Sequence, residues 1–205
     1  MAKERLGSPR ARLFAALDLP DRVREALAAW QRRELTDPAL RAVAPQALHV
    51  TLCFLGYRPE RAIERIAAEI EGIAPRAVEL RFEPQPVGVP RNRPRLFAVD
   101  APSKATEELQ AELSARLEAN GFYRPEKREF WSHVTVARAR PERGEKGPSG
   151  RRRRGHPRAI ESPPGPLPEA VLDPFFGVRV TLYRSHLRPA GAEYAPLAGF
   201  DLPPG

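Results

Sequence analysis

A chain of 205 residues, 41% of them hydrophobic, can bury one compact core or two small lobes that share one. No apolar run nears the ~18 residues of a membrane span, residues 1–10 are charged where a secretory signal would be apolar, and the single cysteine, Cys53, excludes an intrachain disulfide and a cysteine-built zinc site; the expectation is a cytoplasmic monomer without membrane contact. The net charge of +8 suggests nucleic acid until it is located: residues 138–158 hold nine Lys/Arg against two Glu, so the rest of the chain is close to neutral.

Residues 1–10 read as a flexible tail and 11–205 as a single domain. Residues 12–19 read as a strand ended by Pro20. Asp21 then reads as a helix cap ahead of Val23, Ala26, Leu27 and Trp30 at helical spacing. The apolar run 48–55 is a second strand, closed by Gly56. Over 60–73, Ile63, Ile66, Ala67 and Ile70 form one apolar stripe with Glu and Arg opposite, the pattern of an amphipathic helix. Strands are expected at 78–82 and 96–99, with proline-rich turns between them. Ser103 caps a long helix whose stripe includes Leu109, Leu113 and Leu117, and Gly121 stops it. A further strand-like run follows at 130–137. Residues 141–168 form a basic Pro/Gly/Arg-rich loop with almost no apolar periodicity, and strands are expected at 176–183 and 195–202. Similarity between the two halves is confined to two tetrapeptides, which leaves an internal duplication open.

Those tetrapeptides are His49-Val50-Thr51-Leu52 and, 84 residues later, His133-Val134-Thr135-Val136. Strand alternation puts His49 and Thr51 on one face and Val50 and Leu52 on the other, and treats His133 and Thr135 likewise. Each polar pair can face a cleft while its apolar pair packs into a core. A single histidine in an apolar strand is more often structural, and threonines suit strands for β-branching alone. Two such units in one frame point instead to paired proton transfer, because an imidazole of pKa ~6.5 can give or take a proton near neutral pH. An α+β fold of two lobes around a shared cleft is the simplest arrangement that brings His49 and His133 together. His156, in the basic loop, and His186, after a strand, lie outside the frame and read as solvated. Cys53 reads as a buried inert thiol. The H-x-T-x frame supplies too few donors for zinc, so no metal and no cofactor are expected.

Arg12-Leu13-Phe14, Leu48 to Leu52, Phe54-Leu55-Gly56, Gly121-Phe122, Phe130 with His133 to Arg138, and the C-terminal Leu182-Tyr183, Ser185, Leu187, Pro189, Gly191 and Tyr194 match, in order, those of a known family. Together they resemble the two-histidine (2H) phosphoesterases, and within them the bacterial and archaeal RNA 2′,3′-cyclic phosphodiesterases, also called the LigT-like 2′-5′ RNA ligase group. The resemblance covers nearly all of 12–202. It implies a bilobal α+β fold: two pseudo-symmetric antiparallel-sheet lobes with flanking helices around a central cleft. It also implies His49 as general acid, His133 as general base, and Thr51 and Thr135 as holders of the phosphate oxygens. The implied partners are RNA ends or cyclic-phosphate nucleotides, and the implied reaction is metal-independent opening of a 2′,3′-cyclic phosphate to a 2′-phosphate. Ser132, where the family has proline, departs from the pattern, as does the arginine run 151–154.

Other residues carry two readings each. Arg138 sits at an odd offset from His133, which in a regular strand changes face; it is a strand-end arginine or a phosphate contact. Arg12 and Phe14 share a strand face that could reach the cleft, where a base could stack on Phe14, or Phe14 belongs to the core. The run Arg151 to Arg154 is a solvated loop or an arm for RNA phosphates. For the whole chain the competing functions are 2′-5′ RNA ligation at the same site, phosphodiesterase action on small cyclic nucleotides, and noncatalytic RNA binding through the basic loop.

Overall fold

The computed structural model describes residues 9–142, 157–188 and 191–205. The elements are β1 (Arg10–Asp18), α1 (Asp21–Glu34), β2 (Leu40–Ala42), β3 (His49–Pro59), α2 (Ile63–Glu71), β4 (Glu79–Leu80), β5 (Val87–Val89), β6 (Leu96–Asp100), α3 (Lys104–Ala119), β7 (His133–Ala139), β8 (Phe175–Phe176), β9 (Arg179–Arg188) and β10 (Gly191–Asp201). Among the described residues, eight strands form one sheet in the order β10-β9-β1-β3-β7-β6-β5, with β2 also on β7, while β4 and β8 make a separate pair. All the ladders are antiparallel.

A seam divides the large sheet. The β1–β3 ladder runs from Arg10 opposite Pro59 to Asp18 opposite His49, but β3 and β7 share a single rung, Val50 opposite Val134. Two half-sheets therefore meet at one point, which is the bilobal α+β arrangement with a cleft where the strands part. Both valines are fully buried. Helices α2 and α3 pack on each other, α2 also against β9 and β10 and α3 against β3, while α1 lies beside β7. The stripe of α2 explains its seat: Ile66 and Ile70 are fully buried and Ile63 and Ala67 pack against the core. Each fully buried isoleucine contributes on the order of 1.5–3 kcal/mol. In β1, which runs between β9 and β3, Phe14 to Leu17 are buried on both faces instead of alternating.

Several expectations change. Asp21 is the first residue of α1 and not its cap; Pro20 precedes it, and the Asp21 carboxylate pairs with Arg24 instead. Gly56 does not close the second strand. It sits within β3 at φ 70, beside a register shift between Leu13 and Phe14, a backbone that glycine adopts without strain. The helix over 60–73 begins as a 3-10 turn at Glu60–Ala62 and ends at Glu71. The strand at 78–82 shrinks to β4, because among the described residues only the two-residue β8 pairs with it. Ser103 caps α3 by accepting the Thr106 N–H at 3.1 Å, as its sequence pattern predicts. The arginine run 151–154 and His156 lie outside the described residues. Residues 157–168 are fastened down: Asp37 Oδ2 accepts the backbone N–H groups of Glu161 and Ser162 at 2.7 and 2.9 Å, and Trp30 Nε1 donates to the Pro166 carbonyl at 3.0 Å.

Candidate active site

The Val50–Val134 rung fixes how the two motifs meet. With the valines opposite each other in an antiparallel pair, one step either way sets Thr51 beside His133 and His49 beside Thr135. All four polar side chains then leave the same face of the sheet, each histidine next to the other motif's threonine. All four are partly exposed, while Val50, Leu52, Val134 and Val136 are buried.

Each motif ends in a bulge. In β7, Ala98 stands opposite Thr135 but Phe97 stands opposite Ala137, so Val136 is the extra residue. In β3, Thr51 pairs with Ala16 and Cys53 with Ala15, leaving Leu52 as the extra residue. Each bulge resets the alternation, so the residue five positions after each histidine returns to the cleft side. These residues are Phe54 and Arg138, both exposed. The odd offset of Arg138 therefore does not change its face relative to His133, contrary to the regular-strand expectation.

Thr51, His133, Thr135 and Arg138 together line a pocket of about 360 Å³, with Phe54, Gln110, Ser114, Tyr123, Phe130 and Trp131 among its other walls. His49 stands beside this pocket in an aromatic nest. Its ring stacks on Phe14 at 5.1 Å and on Tyr183 at 5.9 Å and meets Tyr194 edge-on at 5.4 Å. Beyond Tyr183 and Tyr194 lies a second hollow of about 400 Å³, bounded by Asp21, Arg24, Glu25, Pro45 and Gln46. Phe14 is 3% exposed, with His49, Tyr183 and Tyr194 against it, so it walls the histidine and offers no open ring to a base. Arg12 lies outside both hollows: it donates to Ser185 Oγ at 2.9 Å and covers the Phe54 ring at 4.5 Å.

The two imidazoles have different surroundings. His133 Nδ1 lies 2.7 Å from the Trp131 carbonyl. A carbonyl only accepts, so Nδ1 carries the proton and Nε2 keeps its lone pair when the ring is neutral. The Trp131 ring stacks on His133 at 3.8 Å. His49 Nδ1 is buried without a hydrogen-bond partner among the described residues. Burial, then the charges of Arg138 and His133, push His49 down to about 4. Burial also lowers His133, against the Trp131 hydrogen bond and the Asp100 charge, which raise it. Both rings are therefore biased toward the neutral form, and a bound anion is what would favour protonating either one. Cys53 is buried, and its thiol is pushed up to about 12 by that burial, which makes it an inert neighbour. Among the described residues no three His, Cys, Asp or Glu side chains gather as a metal-ligand set. No helix there is long and apolar enough to cross a membrane.

The residues that sequence reading missed are Asp18, Asp100, Trp131, Tyr183 and Tyr194 as neighbours of the histidines and Phe54 as a wall of the pocket. A signal for two of them was present. Arg12-Leu13-Phe14-Ala15 recurs as Arg95-Leu96-Phe97-Ala98, and the two runs end in Asp18-Leu19-Pro20 and Asp100-Ala101-Pro102. Each run is a strand beside an H-x-T-x strand and each leads into a helix. Similarity between the halves thus extends beyond the tetrapeptides.

The arrangement has known counterparts. Residues 19–146 match the family model of the 2′-5′ RNA ligase superfamily. A Thermus thermophilus protein named RNA 2′,3′-cyclic phosphodiesterase is 28% identical over 93% of this chain and 90% of its own. One of the same name from Methanocaldococcus jannaschii is 27% identical over 63% of this chain and 72% of its own. Among solved structures, a Thermus thermophilus protein superposes with a TM-score of 0.71 at 28% identity, covering 93% of this chain and 97% of that one. Escherichia coli LigT complexed with 3′-AMP has the same fold, with a TM-score of 0.71 at 23% identity over 95% of this chain and 99% of that one.

Proposed function

Since the chain belongs to the 2′-5′ RNA ligase superfamily, we propose that it hydrolyses RNA ends bearing a 2′,3′-cyclic phosphate, using His49 and His133 as a general acid–base pair without a metal. The observation that carries this reading is the single Val50–Val134 rung, which turns two distant tetrapeptides into one His–Thr, Thr–His cluster on one face. The Thermus thermophilus and Methanocaldococcus jannaschii relatives carry the name of this activity.

The chemistry follows from the residues. A water attacks phosphorus and gives its proton to His133 Nε2, the nitrogen that the Trp131 carbonyl leaves free to accept. The bond from phosphorus to the ribose 3′ oxygen breaks, and that oxygen takes a proton from His49. The product is a 2′-phosphate with a 3′-hydroxyl, and solvent returns both rings to their starting protonation. Thr51 and Thr135 donate to the non-bridging oxygens, where charge builds in the transition state. Arg138, brought to the pocket wall by the Val136 bulge, adds a fixed positive charge. The cyclic phosphate's own charge favours the proton on His49 that burial otherwise disfavours. Aromatic walls around the pocket, Phe54 and Tyr123, suit a nucleobase.

The family's name brings a second reading, 2′-5′ ligation at the same site, with a 5′-hydroxyl end attacking the cyclic phosphate in place of water. Incubation with an oligonucleotide ending in a 2′,3′-cyclic phosphate, in chelator and with a 5′-hydroxyl acceptor present, separates them. A 2′-phosphate end supports hydrolysis, a joined product supports ligation, and an unchanged cyclic end rejects both.

A further inference from the structure

The H-x-T-x strands do not account for two carboxylates that lie beside them. Asp18 is the ladder partner of His49, and Asp100 is the ladder partner of His133. Ladder partners point to the same face of a sheet, so each carboxylate leaves its strand next to a histidine. Neither bonds the imidazole directly. Asp18 accepts from Thr181 Oγ1 at 2.6 Å and from the Tyr183 hydroxyl at 2.9 Å. Asp100 accepts from Trp131 Nε1 at 2.8 Å. Tyr183 is a ring stacked on His49, and Trp131 is the ring stacked on His133. The same relation thus occurs in both halves: a carboxylate holds the polar tip of the aromatic side chain that lies against the histidine opposite it.

On the His133 side this relation governs the reacting nitrogen. An imidazole in a cleft turns about its last side-chain torsion unless something fixes its plane. Two contacts fix His133, the hydrogen bond from Nδ1 to the Trp131 carbonyl and the face contact with the Trp131 indole, and both come from one residue. Trp131 precedes β7, in a stretch with no helix or strand after α3. Its indole is tied to β6 through Asp100.

We propose that Asp100 is a positioning residue for His133: by holding the Trp131 indole it fixes both the ring plane and the tautomer that leave Nε2 aimed into the cleft. Asp100 touches no reacting atom. Its charge is also one of several around the ring, with Asp100 from β6, Arg128 from the preceding loop, Arg138 from β7 and His49 from β3. The kinetic part of the test rests on the proposed hydrolysis; the spectroscopic part does not.

Asp100→Ala, Trp131→Phe and their combination form a cycle that removes one hydrogen bond from either end. The expected loss in kcat is roughly 10- to 100-fold for each single change, the cost of a misplaced reacting group, with KM little altered. The double variant should be no slower than the slower single one. Asp100→Asn keeps an acceptor for the indole and should restore most of kcat. It removes a charge that favours the protonated ring, so the His133 limb of the pH–rate profile should move to lower pH. Losses that multiply in the double variant, or an Asp100→Asn enzyme as slow as Asp100→Ala with its limb unmoved, overturn the proposal. In the substrate-free protein, nitrogen-15 NMR should show the His133 Nδ1–H proton in the wild type and in Asp100→Asn, and lose it to exchange in Asp100→Ala. Its survival in Asp100→Ala overturns the proposal even if the protein opens no cyclic phosphate. Should Asp100→Ala fail to fold, Trp131→Phe carries the same test, since it breaks the bond from the other end and keeps an aromatic ring.

Discussion

Arg138 stands on the same side of β7 as His133, although five residues separate them, because Val136 is the extra residue of a bulge between them. The Gln31 side-chain amide donates to the carbonyl of that bulged residue at 2.7 Å and to the Val43 carbonyl at 3.0 Å, which ties the irregularity to α1. Arg138 is thereby the one arginine on the pocket wall that belongs to a motif strand. Arg138→Leu should weaken binding of the cyclic phosphate by roughly 10- to 100-fold, the worth of a charged hydrogen bond. It should also shift the histidine limbs to higher pH, since the arginine charge lowers both rings. Steady-state kinetics across pH checks both effects; an unchanged KM would place Arg138 outside the substrate site.

Gln31 is 4% exposed. Gln31→Leu leaves the Val43 carbonyl without that donor and removes one of the two donors to Val136, which also accepts the Val43 N–H. The expected cost is about 1–3 kcal/mol of stability, measured by urea denaturation. A larger KM at temperatures where the variant is fully folded would show that the bulge also sets the position of Arg138.

His49 should leave a signature in stability against pH. Its folded-state pKa, about 4, lies below the ordinary histidine value of 6.5. Between those values the unfolded chain binds a proton that the folded chain does not, so stability rises with pH through this window and is lost as pH falls from about 6.5 toward 4. His49→Gln should flatten that part of the curve, as followed by denaturant midpoints at successive pH values. An equal slope in wild type and variant would mean that His49 is not held neutral by burial.

In turnover the same residue should behave differently once substrate is bound. The phosphate anion favours the protonated ring, so the limb that reports loss of the His49 proton should lie at higher pH in kcat than in kcat/KM. Coincident limbs would deny that the substrate helps to load the acid.

Much of this architecture was legible in the amino acids themselves. The H-x-T-x pairs, the α2 stripe and the Ser103 cap are local patterns, and local geometry realises them. The bulges were not legible, because Leu52 and Val136 are ordinary apolar strand residues until a partner strand is paired against them. For the same reason the alternation alone puts Arg138 on the far face, while Phe14, for which the sequence leaves a stacking role and a core role open, becomes a buried wall for His49. The duplicated Arg-Leu-Phe-Ala runs were open to view, but Ala16 adds one residue before the aspartate in the first, which offsets the two copies. That extra residue has a structural effect: Phe14 reaches the His49 nest, while in the second copy Leu96 and not Phe97 takes the pocket wall. Trp131 and Asp100 meet only through tertiary structure, 31 residues apart in sequence.

The most direct measurement of paired catalysis is the single-turnover rate on a 2′,3′-cyclic phosphate end for wild type, His49→Ala, His133→Ala and the double variant. Each single change should cost about 10²–10⁴-fold, with folding retained. The double variant should be little slower than either single one, because an acid and a base acting in one step fail together. Turnover that survives the loss of both histidines would contradict the account.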